Sequence, residues 1–197
     1  MLEAQIEQGA PVDVFLSAGM QQMDALVERG LVESTSVRVA ARNRLVVIVG
    51  VGKGTPMIHS LADLRLSQVR HIAIGDEKTV PAGQYAAEVL RKMDLTEILK
   101  PKLVQAEDVR QVVQYVVDGA AEAGFAYRTD ARGVPSVRVA LEIPDETHRP
   151  IVLPVAVIAR TEFPEQAERF VEFLLGPDGQ AVLDRYGFLP PGPPAGR

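Results

Sequence analysis

Short apolar runs of strand type alternate with stretches of helical periodicity along most of this 197-residue chain. Residues 45–49 form a β-branched run that suits a buried strand, and residues 71–75 form a second apolar run. The apolar residues that follow Pro81 and Asp108 recur at helical spacing, as on one face of a helix. This alternation predicts an α/β fold with mostly parallel sheets flanked by helices.

The ends of the chain add further boundaries. Residues 2–8 have helical character and stop at Gly9. Two more helices are predicted after Phe163-Pro164 and Gly176-Pro177, because proline suits the first turn of a helix. The last segment, residues 189–197, is rich in Pro and Gly and is expected to be disordered.

The composition excludes several classes of function. The net charge is -5, the isoelectric point is near 5.3, and Lys and Arg form no run, which argues against a nucleic-acid or anionic-membrane surface. The absence of Cys excludes disulfides and thiolate metal sites. No apolar run reaches the length of about 20 residues that a membrane span needs, and the first residues lack the pattern of a signal peptide.

Three short segments together suggest a binding site for a small anion. Val80-Pro81-Ala82-Gly83 and Ala106-Glu107-Asp108-Val109-Arg110 each open a helix, and so present backbone N–H groups that have no partner within the helix. Gly124-Phe125-Ala126-Tyr127 is a short strand that brings a phenolic hydroxyl to its end. These donors would hold an anion without any basic side chain.

Two other motifs are weaker. Residues 50–55 invite comparison with a phosphate-binding loop, but Gly54 follows Lys53 where that motif has Ser or Thr, and Ile48 replaces its earlier glycine. A surface turn is the better interpretation. Ser17 ends a predicted strand without the surroundings of a catalytic serine, so a polar strand end or a helix cap is favoured.

The remaining titratable candidates also have structural explanations. His59, His71 and His148 are scattered without metal-ligand spacing, so surface positions or packing contacts are expected. The adjacent acids Glu107-Asp108 would suit acid–base catalysis as a carboxylate pair. The apolar periodicity that starts at Val109 instead favours a place in the first turn of a helix, as caps or dipole partners.

Taken in order, several segments resemble the molybdate-binding protein of bacterial ABC importers, a family of periplasmic solute-binding proteins. Residues 5–18 resemble the opening region of that family, and residues 75–86 resemble its central signature. Residues 105–110, 124–130 and 176–188 continue the match. Each piece alone is weak, but the ordered set covers nearly the whole chain.

The resemblance implies a two-lobe, periplasmic-binding-protein-like fold that holds a tetrahedral oxyanion. Lobe one would comprise residues 1–42 and 155–197, and lobe two residues 43–154. In the family, lobe two binds the oxyanion through two backbone N–H groups and a tyrosine hydroxyl. By resemblance, these oxyanion-binding positions fall on Ala82, Val109 and Tyr127.

The resemblance also implies that two serine-bearing loops of the family precede the helix that starts here near Leu2. Met1 stands roughly where the second serine would be. An N-terminally truncated lobe one without its serine contacts is therefore expected, with impaired ligand binding. An exposed edge of its sheet would favour a dimer.

The expected function is the binding of molybdate or tungstate for delivery to the membrane permease of an ABC importer. Molybdenum would be present only as the bound oxyanion. No cofactor, metal ligand, catalytic residue or nucleic-acid partner is expected. The location implied by the family is periplasmic or extracytoplasmic. The alternative is an oxyanion-sensing domain of a cytoplasmic regulator, which reuses the same fold.

Overall fold

The structure is a computed structural model that describes residues 2–52 and 54–192. The chain divides into two compact units, residues 1–43 with 151–197 and residues 44–150. The helices and strands, in chain order, are α1 (Leu2–Glu7), β1 (Val14–Leu16), α2 (Met20–Glu28), β2 (Arg38–Arg42), β3 (Leu45–Gly50), β4 (Ile72–Gly75), α3 (Pro81–Lys92), α4 (Thr96–Leu99), β5 (Leu103–Ala106), α5 (Val109–Val117), β6 (Ala123–Tyr127), α6 (Arg128–Ala131), β7 (Val137–Glu142), β8 (Val152–Val157), α7 (Pro164–Leu175) and α8 (Pro177–Arg185). Short 3₁₀ helices cover Ser34–Ser36, Leu61–Arg65, Lys100–Lys102 and Asp145–Thr147.

The first unit is built around a three-stranded antiparallel sheet in the order β1-β8-β2. Ile6 of α1 and Met23 of α2 are buried in one cluster with Phe15 of β1. Val171 of α7 is buried in a second cluster with Val155 of β8. Because side chains alternate along a strand, helices cover both faces of this small sheet.

The second unit contains a five-stranded mixed sheet in the order β5-β4-β6-β3-β7. β4 runs parallel to β5 and β6, whereas β3 runs antiparallel to β6 and β7. α5 packs closely on one face, where a Cβ added to Gly124 would lie 2.9 Å from Val112 Cγ1. α3 packs against the other face of the same strands. Ala126 lies in the core cluster that includes residues of α5. The next residue, Tyr127, points to the opposite face, where its ring contacts Tyr85 of α3.

The two-lobe α/β class is confirmed, but the sheets are not mostly parallel. In the described sheets two strand pairs are parallel, and the other four, including both pairs of β3, are antiparallel. Residues 45–49 are completely buried, as their continuous apolar run predicts. Such burial also occurs at the centre of a mixed sheet, so it does not report strand direction.

The boundaries of the two units differ slightly from those expected. β8 pairs with β1 and β2, which places residues 151–154 with the first unit and not, as expected, with residues 43–150. Asn43 also belongs to the first unit, because its backbone N–H donates to the Ile151 carbonyl at 3.0 Å. Paired strands, and not chain composition, therefore set these bounds.

The disorder expected from residue 189 onward does not apply to its first residues. The Leu189 and Arg42 backbones form a bridge, with both N–H to carbonyl distances at 2.9 Å. Arg42 Nε also donates to the Pro190 carbonyl at 2.9 Å. These hydrogen bonds hold the first residues of the segment in spite of its Pro-rich composition. Residues 193–197 lie outside the described residues.

The glycine stop predicted at Gly9 is confirmed, and a second glycine ends α2 in the same way. Gly9 follows α1 with φ 99° and Gly30 follows α2 with φ 65°, a left-handed conformation that glycine adopts without steric cost. Sequence patterns missed β2 and β5, which are short and include polar residues among their apolar ones. None of the helices in the described part of the chain has the length and apolarity needed to cross a membrane.

Candidate functional site

The carboxyl ends of three parallel strands share one edge of the sheet in the second unit. Gly75 of β4 pairs with Ala106 of β5. The register of β4 with β6 places Ala126 beside Gly75. Tyr127 therefore lies one residue past this level, at the carboxyl end of β6. α3 begins after β4 and α5 begins after β5, on opposite faces of the sheet. In open α/β sheets this kind of edge is where ligands bind.

The start of α3 is held very close to the end of β4. A Cβ added to Gly83 would lie 2.1 Å from the Gly75 carbonyl oxygen, so only glycine fits there. Pro81 occupies the first turn, and Ala82 is 1% exposed. Among the described residues, the Ala82 N–H has no hydrogen-bond acceptor. It is a free donor of the first helical turn.

The start of α5 is fixed by an aspartate cap. Asp108 is the N-cap, and its Oδ1 accepts from the Gln111 N–H at 2.8 Å. Gln111 Oε1 in turn accepts from the Glu107 N–H at 2.7 Å. The capping role predicted for these acids is thereby confirmed for Asp108. The N–H groups of Val109 and Arg110 have no acceptor in the described part of the chain.

Tyr127 carries a buried hydroxyl without a hydrogen-bond partner among the described residues. The residue is 9% exposed, and its backbone N–H donates to Asp130 Oδ2 at 3.1 Å. Burial raises the pKa of the Tyr127 hydroxyl far above its ordinary value, and the nearby Tyr85 and Asp130 add to the rise. The hydroxyl is therefore neutral at physiological pH and remains a donor. An orphaned buried donor needs a structural or functional explanation.

Asp130 links Tyr127 to the start of α5. Burial raises the pKa of the Asp130 carboxyl, the Tyr127 N–H and the positive charge of Arg110 oppose the rise, and Asp108 adds to it. These influences show that the end of β6 and the first turn of α5 lie within electrostatic reach of each other. All three predicted residues, Ala82, Val109 and Tyr127, thus lie at one edge of the second unit.

Sequence patterns missed the residues that surround Tyr127. Tyr85 appeared only as part of the apolar face of its helix, although it lies one turn after Ala82. Its ring meets the Tyr127 ring edge-on, with centroids 6.5 Å apart. His148 and Arg149, from a distant part of the chain, pack against the Tyr85 ring. No local pattern announces such a contact. The packing role expected for His148 is confirmed.

The two weaker motifs of the sequence have structural explanations. Ser17 follows β1 in the first unit, and its Oγ accepts from the Gly19 N–H at 3.4 Å, a structural role for a strand end. β3 ends at Gly50, and the next helical turn among the described residues begins at Leu61, so the described part of residues 50–55 does not open a helix as a phosphate loop does. Within the described residues, no group of three or more His, Asp or Glu side chains is arranged to hold a metal ion.

This edge therefore combines free backbone donors at two helix N-termini with a neutral, buried hydroxyl. Helix N-termini favour negative charge through their aligned peptide dipoles. Neither Ala82 nor Val109 carries a charge, so the donors would recognise an anion by direction and distance. The chemistry is that of anion binding.

Comparison with known proteins agrees with this chemistry. A family model described as bacterial extracellular solute-binding protein matches residues 1–189. The chain belongs to this family. Solute-binding proteins of this family bind their ligands and are not enzymes.

Individual relatives narrow the comparison. This solute-binding protein is 34% identical over 190 residues to the molybdate-binding protein ModA of Escherichia coli. The aligned region covers 95% of this chain and 74% of the relative. It is 35% identical over 187 residues to a Bacillus subtilis protein, covering 95% of this chain and 71% of the relative. The provisional name of that protein is ABC transporter substrate-binding lipoprotein.

A solved structure resembles the fold of this solute-binding protein closely. The periplasmic molybdate-binding protein of Azotobacter vinelandii superimposes with a TM-score of 0.83 and 26% sequence identity. The superposition covers 96% of this chain and 83% of the other. The similarity therefore extends over both compact units.

Proposed function

We propose that this solute-binding protein binds molybdate for delivery to the membrane permease of an ABC importer. In the second unit, the Ala82 and Val109 N–H groups and the Tyr127 hydroxyl would donate to the oxyanion. The observation that carries the proposal is the Tyr127 hydroxyl, which is buried beside two helix N-termini and has no hydrogen-bond partner among the described residues. The molybdate-binding names of the relatives support the choice of anion.

Neutral donors suit a tetrahedral dianion. Oriented N–H and O–H dipoles replace its hydration shell, whereas a salt bridge would attract many anions with less regard for shape. Tungstate has the same shape, the same charge and nearly the same size. We therefore expect tungstate to bind by the same contacts as molybdate. The protein would need no cofactor, because the oxyanion is its cargo.

The site of action proposed for this protein is periplasmic or extracytoplasmic. Extracellular solute-binding proteins capture their ligand outside the membrane and pass it to a permease, and the relatives include proteins with these names. The same names favour transport over a cytoplasmic oxyanion sensor. The dimer expected at an exposed edge of lobe one stays a prediction, with β1 as the edge strand at which a second copy would pair.

The test is the removal of one hydroxyl. Titration calorimetry with molybdate should show binding to the unmodified chain, and this binding should be weak if the two serine contacts of the family are lacking. The Kd should rise by about another 10-fold to 100-fold in Tyr127→Phe, because a hydrogen bond to a charged group contributes about 1.5–3 kcal/mol. The Phe ring fills the same buried space, so the fold should persist. Sulfate and tungstate titrations would report on selectivity.

Tyr115→Phe is the matched control, since Tyr115 lies on α5 away from its N-terminus and packs against the core of the second unit. This variant should bind molybdate as the unmodified chain does. If the unmodified chain released no heat with millimolar molybdate or tungstate, the proposed function would be wrong. If Tyr127→Phe bound as tightly as the unmodified chain, the assignment of Tyr127 would be wrong.

A further inference from the structure

We propose that Tyr85 is a positioning residue for the oxyanion, holding the Tyr127 ring in place relative to the start of α3. This inference rests on the proposed function, since it concerns the same site. Tyr85 is not offered as a contact of the anion. It would act through Tyr127.

Tyr85 connects two of the proposed donors. It lies three residues after Ala82 on α3, so the two residues share a face of the helix. Its ring is 5% exposed and meets the Tyr127 ring in an edge-on arrangement, with centroids 6.5 Å apart and an interplanar angle of 64°. One side chain of α3 therefore touches the side chain of β6 that carries the hydroxyl.

The Tyr85 ring is itself held by a second layer of contacts. The His148 ring lies 5.7 Å away at an interplanar angle of 63°, and the Arg149 guanidinium lies 5.8 Å from the Tyr85 ring centroid. Glu88 fixes Arg149, because its carboxylate accepts from Arg149 Nε at 2.7 Å and from the Arg149 N–H at 2.9 Å. Glu88 lies on α3 as well, so the support returns to the same helix.

Packing must orient Tyr127, because no polar contact does so. Its hydroxyl has no hydrogen-bond partner in the described part of the chain, so nothing at the tip of the ring fixes its direction. The flat Tyr85 ring, locked between Tyr127, His148 and Arg149, supplies a directional contact instead. A hydrogen bond weakens steeply when its donor departs from the preferred distance and angle to the acceptor, so a displaced hydroxyl would lower the affinity for the ligand.

The experiment compares Tyr85→Leu and Tyr85→Phe by molybdate calorimetry. Tyr85→Phe keeps the ring contact and should bind within about 2-fold of the unmodified chain, whereas Tyr85→Leu should raise the Kd about 10-fold. The double variant Tyr85→Leu/Tyr127→Phe should bind no more weakly than Tyr127→Phe alone, because the positioned hydroxyl is then absent. Tyr115→Leu controls for a general loss of packing and should leave the Kd unchanged.

A second readout needs no ligand. The chain has four tyrosines, so fluorine NMR of protein labelled with 3-fluorotyrosine gives few signals, and Tyr127→Phe identifies that of Tyr127. Tyr85→Leu should shift or broaden this signal, and Tyr115→Leu should not. An unchanged Tyr127 signal, or additive Kd effects in the double variant, would overturn the positioning role. Failure of the unmodified chain to bind molybdate would instead overturn the proposed function, while the NMR comparison still decides the orienting contact.

Discussion

In the second unit, α3 and α5 begin beside the ends of parallel strands, whereas in the first unit the described strands pair only in antiparallel fashion. Both units contain a glycine that lets backbones approach closely. Gly83 brings α3 against the Gly75 carbonyl at the sheet edge. Gly179 brings α8 against the Phe173 carbonyl, where a Cβ would lie only 2.3 Å away. The first contact joins a helix to a strand, and the second joins two helices.

Strand direction explains why the donors collect in the second unit. Parallel neighbours require crossover connections, and each crossover helix starts from the same edge of the sheet. Antiparallel neighbours send successive chain segments to opposite edges. The N-termini of α3 and α5 therefore lie at one edge, together with the end of β6. A mixed sheet needs only its parallel portion to build this arrangement.

The largest effect on stability is expected when the close contacts at Gly83 and Gly179 are removed one at a time. Gly83→Ala and Gly179→Ala each place a methyl group in steric clash with a backbone carbonyl oxygen. Each should therefore lower the free energy of unfolding by about 3 kcal/mol, as measured by urea titration. Gly83→Ala should also raise the Kd for molybdate at least about 10-fold, because the start of α3 must move away from β4. Gly179→Ala should leave the Kd for molybdate unchanged.

Gln84→Ala is the control for the first substitution, since it changes the neighbouring helical position without adding a group near Gly75. It should leave stability and molybdate affinity nearly unchanged. A Gly83→Ala protein that kept both properties would show that the closeness of α3 and β4 does not matter for the site.

A smaller effect is expected at the start of α5. Asp108→Ala removes the cap on the Gln111 N–H and should lower the free energy of unfolding by about 1 kcal/mol, with weaker molybdate binding because the first turn frays. Asp108→Asn keeps an acceptor oxygen and should retain most of the stability. Urea titration and calorimetry on both variants test this. Equal losses in the two would indicate that charge, and not the capping bond, stabilises the turn.

The smallest effect concerns the pH dependence of stability. Burial raises the pKa of the Asp130 carboxyl above its ordinary value of 3.8, so the folded protein holds this proton more tightly than the unfolded chain. The contribution of Asp130 to the free energy of unfolding is therefore present at pH below 3.8 and declines as pH rises through the raised pKa.

Asp130→Asn still accepts from the Tyr127 N–H but does not titrate. Its free energy of unfolding should fall less steeply with pH above 3.8 than that of the unmodified chain. The difference should be smaller than one fully exchanged proton would give, about 1.4 kcal/mol per pH unit. Urea titrations across acidic and neutral pH measure both slopes, and identical slopes would contradict the raised pKa.

Much of the fold follows from local patterns. The starts of α3 and α5 are marked by Pro81 and Asp108, and glycine marks the ends of α1 and α2, because caps act within one helical turn. Strand direction was not predictable, since the apolar run of β3 suits a parallel or a mixed sheet equally. The bridge between Leu189 and Arg42 was also hidden, because it joins residues from opposite ends of the chain.

The candidate site shows the same division. Residues 82 and 109 occupy helix starts and Tyr127 ends its strand, as the sequence indicates. Their ligand contacts stay a proposal. The contacts of Tyr85 with His148 and Arg149 depend on tertiary packing and have no local signature. Sequence patterns thus locate the proposed donors, and the structure adds the side chains that pack around the Tyr85 ring.

The free N–H groups at Ala82 and Val109 have a consequence for how such a site tolerates mutation. A backbone donor survives almost any change of side chain, and proline is the one residue that removes it. If these groups bind as proposed, single-residue changes that the local packing accepts at either position would leave the donors intact. Tyr127 is different, because its hydroxyl disappears in a single substitution. Natural selection would then act far more strongly against substitutions of Tyr127 than against substitutions at the two helix starts.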